Sequence, residues 1–359
     1  MAMLKLFSIA PRPLIPDPRP CPAVGRLPRE AVGSVGALLA TVALLAGCAP
    51  SGGFKITPIP ADRTLQTSVV DREAAFAPKI ALVEIEGVLA NEVGSDLFSV
   101  GPEDENPVSF AVEKLDAAAA DPAVRAIILR INSPGGTVSA SDLLYQEVRR
   151  FRERTGKPVI AVLMDVAASG GYYVACAAEE IIAQRSTVTG SIGVIMQRFS
   201  LEGTLKKVGV KAEAIASGPM KEAGSPWRDM TGEERALFES LVRGHFERFL
   251  DVVAAGRPGL DRARIEKLAD GRPYSAAEAL EHGLIDRIGT LRDGLSAAKA
   301  KADLKQANTI VYKRPLSWKP NPYATGAGPI SASEKALSAE RLIKDWTGGV
   351  RFLYLGYVQ

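Results

Sequence analysis

The sequence predicts an α/β fold built on a parallel sheet, and three observations carry that reading. Near-continuous apolar, β-branched runs recur at 79–86 (KIALVEIE), 124–131 (VRAIILRI) and 158–164 (PVIAVLM), the pattern of strands buried on both faces. Each is followed by a segment of helical composition, and strands that alternate with helices return parallel to one another through crossovers. Two strand-to-helix junctions are rich in glycine, NSPGG at 132–136 and AASGG at 167–171. Ligands bind such sheets at the carboxyl ends of the strands, so both turns fall on one functional edge.

With 359 residues, 47% hydrophobic and 24% charged, the chain can bury a full core, and one large domain with appendages is expected. Residues 33–47 (GSVGALLATVALLAG) form an uncharged apolar run behind Arg26 and Arg29. The run is short for a bilayer span of about 20 residues and fits the hydrophobic region of a secretory signal. It leads directly into Cys48, and LAGC at 45–48 resembles the lipobox of bacterial lipoproteins. That likeness implies cleavage before Cys48 and a lipid anchor on it, so that the protein is exported and faces the periplasm or cell exterior; an uncleaved signal anchor in the inner membrane is the alternative.

Five of the 44 basic and two of the 41 acidic residues lie in 1–47, which leaves 39 of each sign. A neutral remainder without a dense basic tract argues against a nucleic-acid partner. With Cys21 removed and Cys48 lipidated, Cys176 would be the single remaining thiol, expected as a small buried hydrophobe, and stability would rest on the core rather than on disulfides.

Residues 48–78, rich in Gly, Pro, Ser and Thr, read as a tether, and the folded domain is expected over 79–302. After the first strand comes a helix at 107–120, stopped by Asp121-Pro122. The second strand leads to a helix at 139–155 with Leu143, Leu144 and Val148 on its apolar face. The third leads to a helix at 172–178. Short strands are expected at 181–183 and 192–195 around TVTGS, a helix at 201–208, another strand at 211–216 and an ordered loop at 217–231. Thr231 then caps a helix reaching about residue 255, with Glu234 at the capping-box position. Helices at 261–270 and 276–282 and a short strand at 283–289 complete the domain. Residues 303–359 form an extension whose apolar tail, RFLYLGYVQ at 351–359, is expected to dock as a strand or onto a neighbour.

Ser169 is the candidate nucleophile, because a strand, tight turn and helix lift a side chain out of the backbone and leave nearby N–H groups unpaired. An ordinary strand-to-helix turn with small residues is the competing reading. A serine needs a base. His245 falls on a polar helix position and His282 at a helix end, which fits solvated or helix-terminal roles. Zinc-binding clusters and phosphate-loop spacings are absent from the sequence, so no cofactor is expected. Lys221 is the other candidate base, in a loop where Pro219, Met220, Pro226 and Trp227 could shield it.

AASGGYY at 167–173, SPGG at 133–136, TGSIGV at 189–194 and SGPMK at 217–221 together resemble the signal peptide peptidases of the SppA type, the S49 serine peptidases. ADGRPY at 269–274 and GLIDRIG at 283–289 fit the same family, and the likeness covers about 79–301. It implies a ClpP/crotonase-like spiral of βαβ units with helical C-terminal additions, a ring-like homo-oligomer, and cleavage of hydrophobic peptides such as signal peptide remnants. It also implies Ser169 as nucleophile, Lys221 as general base, Ser191 orienting the lysine, and an oxyanion held by the N–H of Gly170 with that of Gly135 or Gly136. The chain departs from the family in its lipobox, where a transmembrane anchor is usual, and in Met220, where an aromatic residue is frequent. A crotonase-type acyl-CoA hydratase or isomerase, and a non-catalytic lipid-anchored scaffold binding apolar segments, are the alternatives.

Overall fold

A computed structural model describes residues 64–91, 106–315 and 321–322, and the backbone of 352–355. The expected signal segment, Cys48, the tether as far as residue 63 and most of the C-terminal extension lie outside the described residues. In chain order the elements are β1 (Gln66–Asp71), β2 (Lys79–Glu86), α1 (Pro107–Ala120), β3 (Val124–Ser133), β4 (Gly135–Thr137), α2 (Val138–Thr155), β5 (Val159–Ala168) and α3 (Gly170–Ala175). There follow β6 (Glu180–Ala183), β7 (Val188–Gly190), β8 (Ile195–Met196), α4 (Glu202–Lys207), α5 (Gly232–Gly256) and α6 (Arg262–Leu268). The last are β9 (Pro273–Ser275), α7 (Ala276–Glu281), β10 (Arg287–Ile288), α8 (Leu291–Lys301), β11 (Asn308–Lys313) and β12 (Phe352–Leu355).

The central sheet runs β1-β11-β2-β3-β5-β6-β10. It is parallel from β11 to β10, with β1 antiparallel at one edge. Strand β5 changes neighbour along its length: residues 160–163 pair with β6 and residues 166–168 with β7, which pairs in turn with β9. That fork opens the sheet where β5 ends. Strands β4, β12 and β8 form a small second sheet.

Alternation along the strands divides the core between two faces. Ala81, Val83, Ile127, Leu129 and Leu163 face a layer that includes Leu115, Leu144, Val148, Phe151 and Phe249. Ile80, Leu82, Ile128, Ile160 and Val162 face α8 through Leu291, Leu295 and Ala298. Each fully buried side chain of this size stabilises the fold by about 1.5–3 kcal/mol. Helix α8 sits close on the sheet because Gly294 is small; a Cβ there would lie 2.4 Å from Val162 Cγ2.

Local signals fix the helix ends. Asn106 accepts from the N–H groups of Val108 and Ser109 at the start of α1, and Thr137 accepts from Ala140 N–H at the start of α2. Gly156 ends α2 in the left-handed region at φ 65°. The Thr231/Glu234 capping box of α5 is formed as its residues predict.

Three expectations need correction. The strand after β6 is β7 at Val188–Gly190, inside the TVTGS turn, whereas Ile192 is a buried loop residue and β8 begins only at Ile195. Residues 211–216 (KAEAIA) form no strand: they are exposed and pair with no other segment among the described residues, and an extended chain without a partner edge has nothing to hold it. The sheet also takes in β1 and β11, on either side of the expected 79–302 domain. Strand β1 lies at an edge with a mostly exposed pattern, so it lacks the apolar run that marks the central strands.

Candidate active site

Ser169 stands at the junction of β5 and α3 with φ 53° and ψ −116°, a conformation that non-glycine residues adopt only at a cost. The turn is held from several sides. Ser169 N–H donates to Gly190 O at 2.7 Å, and Ser169 O accepts from Tyr173 N–H at 2.8 Å. Behind it, Tyr172 Oη donates to Leu284 O at 2.7 Å and Tyr173 Oη to Asp142 at 2.5 Å. The Tyr173 ring also packs against Tyr145 and Phe249 at 5.3 and 5.0 Å. The seryl hydroxyl is fully buried and has no hydrogen-bond partner among the described residues. A buried polar group left unpaired costs stability and calls for a functional explanation.

The two glycine turns meet here. A Cβ on Gly170 would lie 2.3 Å from Ser141 Oγ, 3.1 Å from Gly135 Cα and 3.2 Å from Gly136 N. One on Gly171 would lie 2.6 Å from Ser133 O. Glycine at 170 lets α3 touch β4 and glycine at 171 lets it touch the end of β3, and the parallel register of Ser133 with Ala167 brings the two turns level. At the first turn of α3 the backbone N–H groups have no intrahelical acceptor. Gly135 N–H is already engaged, donating to Ser133 Oγ at 3.1 Å. Leu89 N–H donates to Gly135 O and Thr137 N–H to Leu89 O, both at 2.8 Å, so by alternation Gly136 turns its N–H to the opposite edge of β4.

Ser191 lies just past β7, the strand beside the end of β5, also left-handed at φ 50°, with its hydroxyl donating to Gly271 O at 3.2 Å. Lys221 does not bond to Ser169. It is exposed, in a turn closed by its own N–H donating to Gly218 O at 3.1 Å. Met220 and Trp227, expected to shield it, are 40% and 42% exposed. A single chain therefore brings Ser169 and the glycine turns together but sets no Ser169–Lys221 hydrogen bond. The apolar residues around Lys221 in the sequence face solvent within one chain, which their spacing does not reveal.

Of the histidines, His282 is helix-terminal, whereas His245, expected as a solvated residue, is partly buried. His282 is the C-cap of α7, its Nδ1 3.2 Å from Arg264 Nη2 and its ring edge-on to Tyr274, and His245 lies on α5. Cys176 is buried, and its burial pushes the thiol up to about 12, as befits a packing residue. No group of three His, Cys, Asp or Glu that could hold a metal ion occurs among the described residues.

A strained serine between a parallel strand and a helix, beside a second glycine turn, is the arrangement of an α/β serine hydrolase. The sequence model of peptidase family S49 matches residues 152–305. The chain is 34% identical over 276 residues to a putative signal peptide peptidase SppA of Enterococcus faecium, spanning 76% of this chain and 77% of that protein. It is 30% identical over 271 residues to Protease 4 of Haemophilus influenzae, of which it spans 42%, and 38% identical over 214 residues to the chloroplastic serine protease SPPA of Arabidopsis thaliana, of which it spans 31%. The chain belongs to peptidase family S49, with its ClpP/crotonase-like fold, and is a serine-type endopeptidase. The acyl-CoA hydratase and scaffold alternatives fall away.

Proposed function

We propose that the protein cleaves apolar peptide segments with Ser169 as nucleophile and Lys221 as base, the lysine being supplied by a neighbouring copy of the chain. The observation that carries this reading is the buried, strained and unpartnered hydroxyl of Ser169. A lysine acts as base only when neutral, a form that removal from water favours. Exposed on its own chain, Lys221 gains such burial only against another copy. Exposed apolar side chains on the same segment, Val208, Val210, Ile215 and Met220, are suited to be covered in that contact.

Neutral Lys221 would take the Ser169 proton as Oγ attacks the scissile carbonyl. The N–H groups of Gly170 and Gly136 would hold the oxyanion, Gly136 in preference to Gly135 because the latter's N–H is engaged. Lysine ammonium would then protonate the leaving amine, and water would release the acyl group. Ser191 would orient the incoming lysine. A cavity of about 790 Å³ between β8 and α5 supports recognition of a substrate side chain; it is lined by apolar Val194, Ile195, Met196, Phe238, Val242 and Phe246 and also by charged Arg198, Arg235, Glu239 and Arg243.

Ser169→Ala and Lys221→Met should each reduce turnover of an apolar peptide by at least about 10³-fold, in line with the loss of a nucleophile or its base. A mixture of the two variants, allowed to exchange subunits, should regain part of the activity. Full activity of Ser169→Ala would remove the nucleophile assignment, and a mixture that stays inactive would remove the shared site.

We further propose export and lipid anchoring at Cys48. No helix among the described residues is long and apolar enough to cross a membrane. Cys48→Ala should move the protein from the membrane to the soluble fraction, and unchanged membrane association would refute this anchor.

A further inference from the structure

Strand β5 does not run straight to its nucleophile. From Ile131 opposite Leu163 to Ser133 opposite Ala167, β3 advances by two residues and β5 by four, so β5 carries a bulge at Met164, Asp165 and Val166. Beyond it β5 leaves β6 for β7, and the chain reaches Ser169 three residues after Val166. Bulges beside active sites re-aim the side chains that follow them, and this one aims the end of the strand and with it the seryl hydroxyl.

A bulge interrupts the ladder, so groups other than the neighbouring backbone have to hold it. Side chains do so here from both sides. Val166 N–H donates to Asn132 Oδ1 at 3.1 Å, the carboxamide oxygen taking the place of a ladder carbonyl on the β3 side. On the β7 side, the Thr187 hydroxyl donates to Met164 O at 2.5 Å and the Thr189 hydroxyl to Ala167 O at 2.6 Å. The residue after Asn132 fixes the other half of the site. Ser133 Oγ donates to Gly87 O at 2.6 Å and accepts from Gly135 N–H at 3.1 Å, which holds the glycine strand β4. The last two residues of β3 thus tie down both branches, Asn132 the one that bears Ser169 and Ser133 the one that bears Gly136.

We propose that Asn132 is a positioning residue for the reaction: by accepting the Val166 N–H it fixes the β5 bulge and sets Ser169 Oγ at its working distance from the oxyanion donors Gly170 and Gly136. It acts through the backbone of β5 and touches neither substrate nor the reacting atoms. The inference rests on Ser169 as nucleophile and Gly136 as oxyanion donor. The bond needs only an acceptor at residue 132, since a backbone N–H can only donate. Without that acceptor the bulge loses its anchor on one side, and a displacement of about 1 Å at a reacting group can cost about 10²-fold in rate. None of these residues lines the cavity between β8 and α5, so substrate binding should be spared.

The experiment compares the full chain with Asn132→Leu, which keeps the shape of the side chain but removes the acceptor, and Asn132→Asp, which keeps an oxygen in its place. Asn132→Ala serves as a second acceptor-free variant should the leucine prevent folding. Turnover of one apolar peptide is measured per active site, the sites being counted by stoichiometric labelling of Ser169 with an activated peptidyl phosphonate. Asn132→Leu should lower kcat per labelled site about 10- to 100-fold and slow the labelling in parallel, with KM within about two-fold of the parent value. Asn132→Asp should stay within about three-fold of the parent in both rates, because a carboxylate accepts the same bond. A residue that serves folding alone would reduce the number of sites that label while each remaining site turned over at the parent rate, and that result would overturn the proposal. An Asp variant as slow as the acceptor-free one would overturn it too. Labelling of the parent with kcat unchanged in Asn132→Leu would remove the positioning role and leave Ser169 as nucleophile, whereas a parent chain that does not label at Ser169 would remove the nucleophile assignment and the proposal with it.

Discussion

At the scale of the residue, the site depends on what is missing from glycine. Gly171 is packed so that a Cβ would lie 2.6 Å from the backbone oxygen of Ser133, an atom fixed in β3. Gly171→Ala should therefore overpack the junction by about 1–3 kcal/mol. The check is a lower denaturation midpoint at unchanged slope; an unaltered midpoint would mean that the turn yields more easily than its contacts indicate. Gly136 is tighter still, because a Cβ there would lie 1.9 Å from Leu89 O. Strain at Ser169 is tolerated because its neighbours on both sides, Gly190 and Tyr173, hold its backbone by hydrogen bonds.

At the scale of the element, the loop that carries Lys221 has no regular structure and is shaped by charge. Arg228 Nε donates to Glu222 at 2.9 Å, and the same guanidinium donates to buried Glu234. Arg198 donates to Ser225 O at 2.7 Å. Arg228, followed by the N–H of Thr231, holds the Glu234 carboxyl below the usual carboxylate range. The start of α5 thus anchors the turn beside Lys221 through one arginine. Arg228→Ala should speed amide exchange across 217–230 about ten-fold while the sheet exchanges as before. Equal exchange in that loop would show that the clamp is dispensable.

At the scale of the whole molecule, the helical additions are fastened to the sheet by the GLIDRIG segment. Arg257, at the end of α5, donates to both Asp286 oxygens at 2.8 and 2.9 Å and to Gly283 O at 2.9 Å, while Asp286 accepts from Ile181 N–H in β6 at 2.7 Å. Burial pushes the Asp286 carboxyl up, but Arg257 and the Ile181 N–H outweigh it, so the group titrates below the usual range. A lowered folded value means that its stabilisation is complete above the unfolded value of about 3.9 and is lost as pH falls through the folded one. Asp286→Asn should cost about 1–2 kcal/mol at pH 7, a figure kept low because the carboxylate is partly exposed to solvent. The gap in Tm between the two proteins should close below about pH 3. A gap that persists in strong acid would mean that shape rather than charge makes the link.

Strands buried on both faces are legible in the residues alone, because short β-branched apolar runs bounded by turn residues suit a strand with neighbours on both faces. The bounds of α1, the capping box of α5 and the two glycine turns are equally legible, since all are written in local residue chemistry. Ser169 stands out as a candidate because strand, turn and helix signals meet there. Whatever depends on partners distant in the chain emerges only on folding. Residues 188–190 become a strand because β5 forks, whereas 211–216 remain unpaired for want of an edge. Gly136 N–H is left to the open edge of β4 because Leu89, distant in the chain, pairs with Gly135 O and Thr137 N–H on the other edge. The exposure of Lys221 is of the same kind, since burial is a property of the assembled surface rather than of apolar neighbours in sequence. The apolar tail could have docked as a strand or against a neighbour, and what selects the strand is the pair of free edges on β4 and β8, which only the folded chain sets side by side.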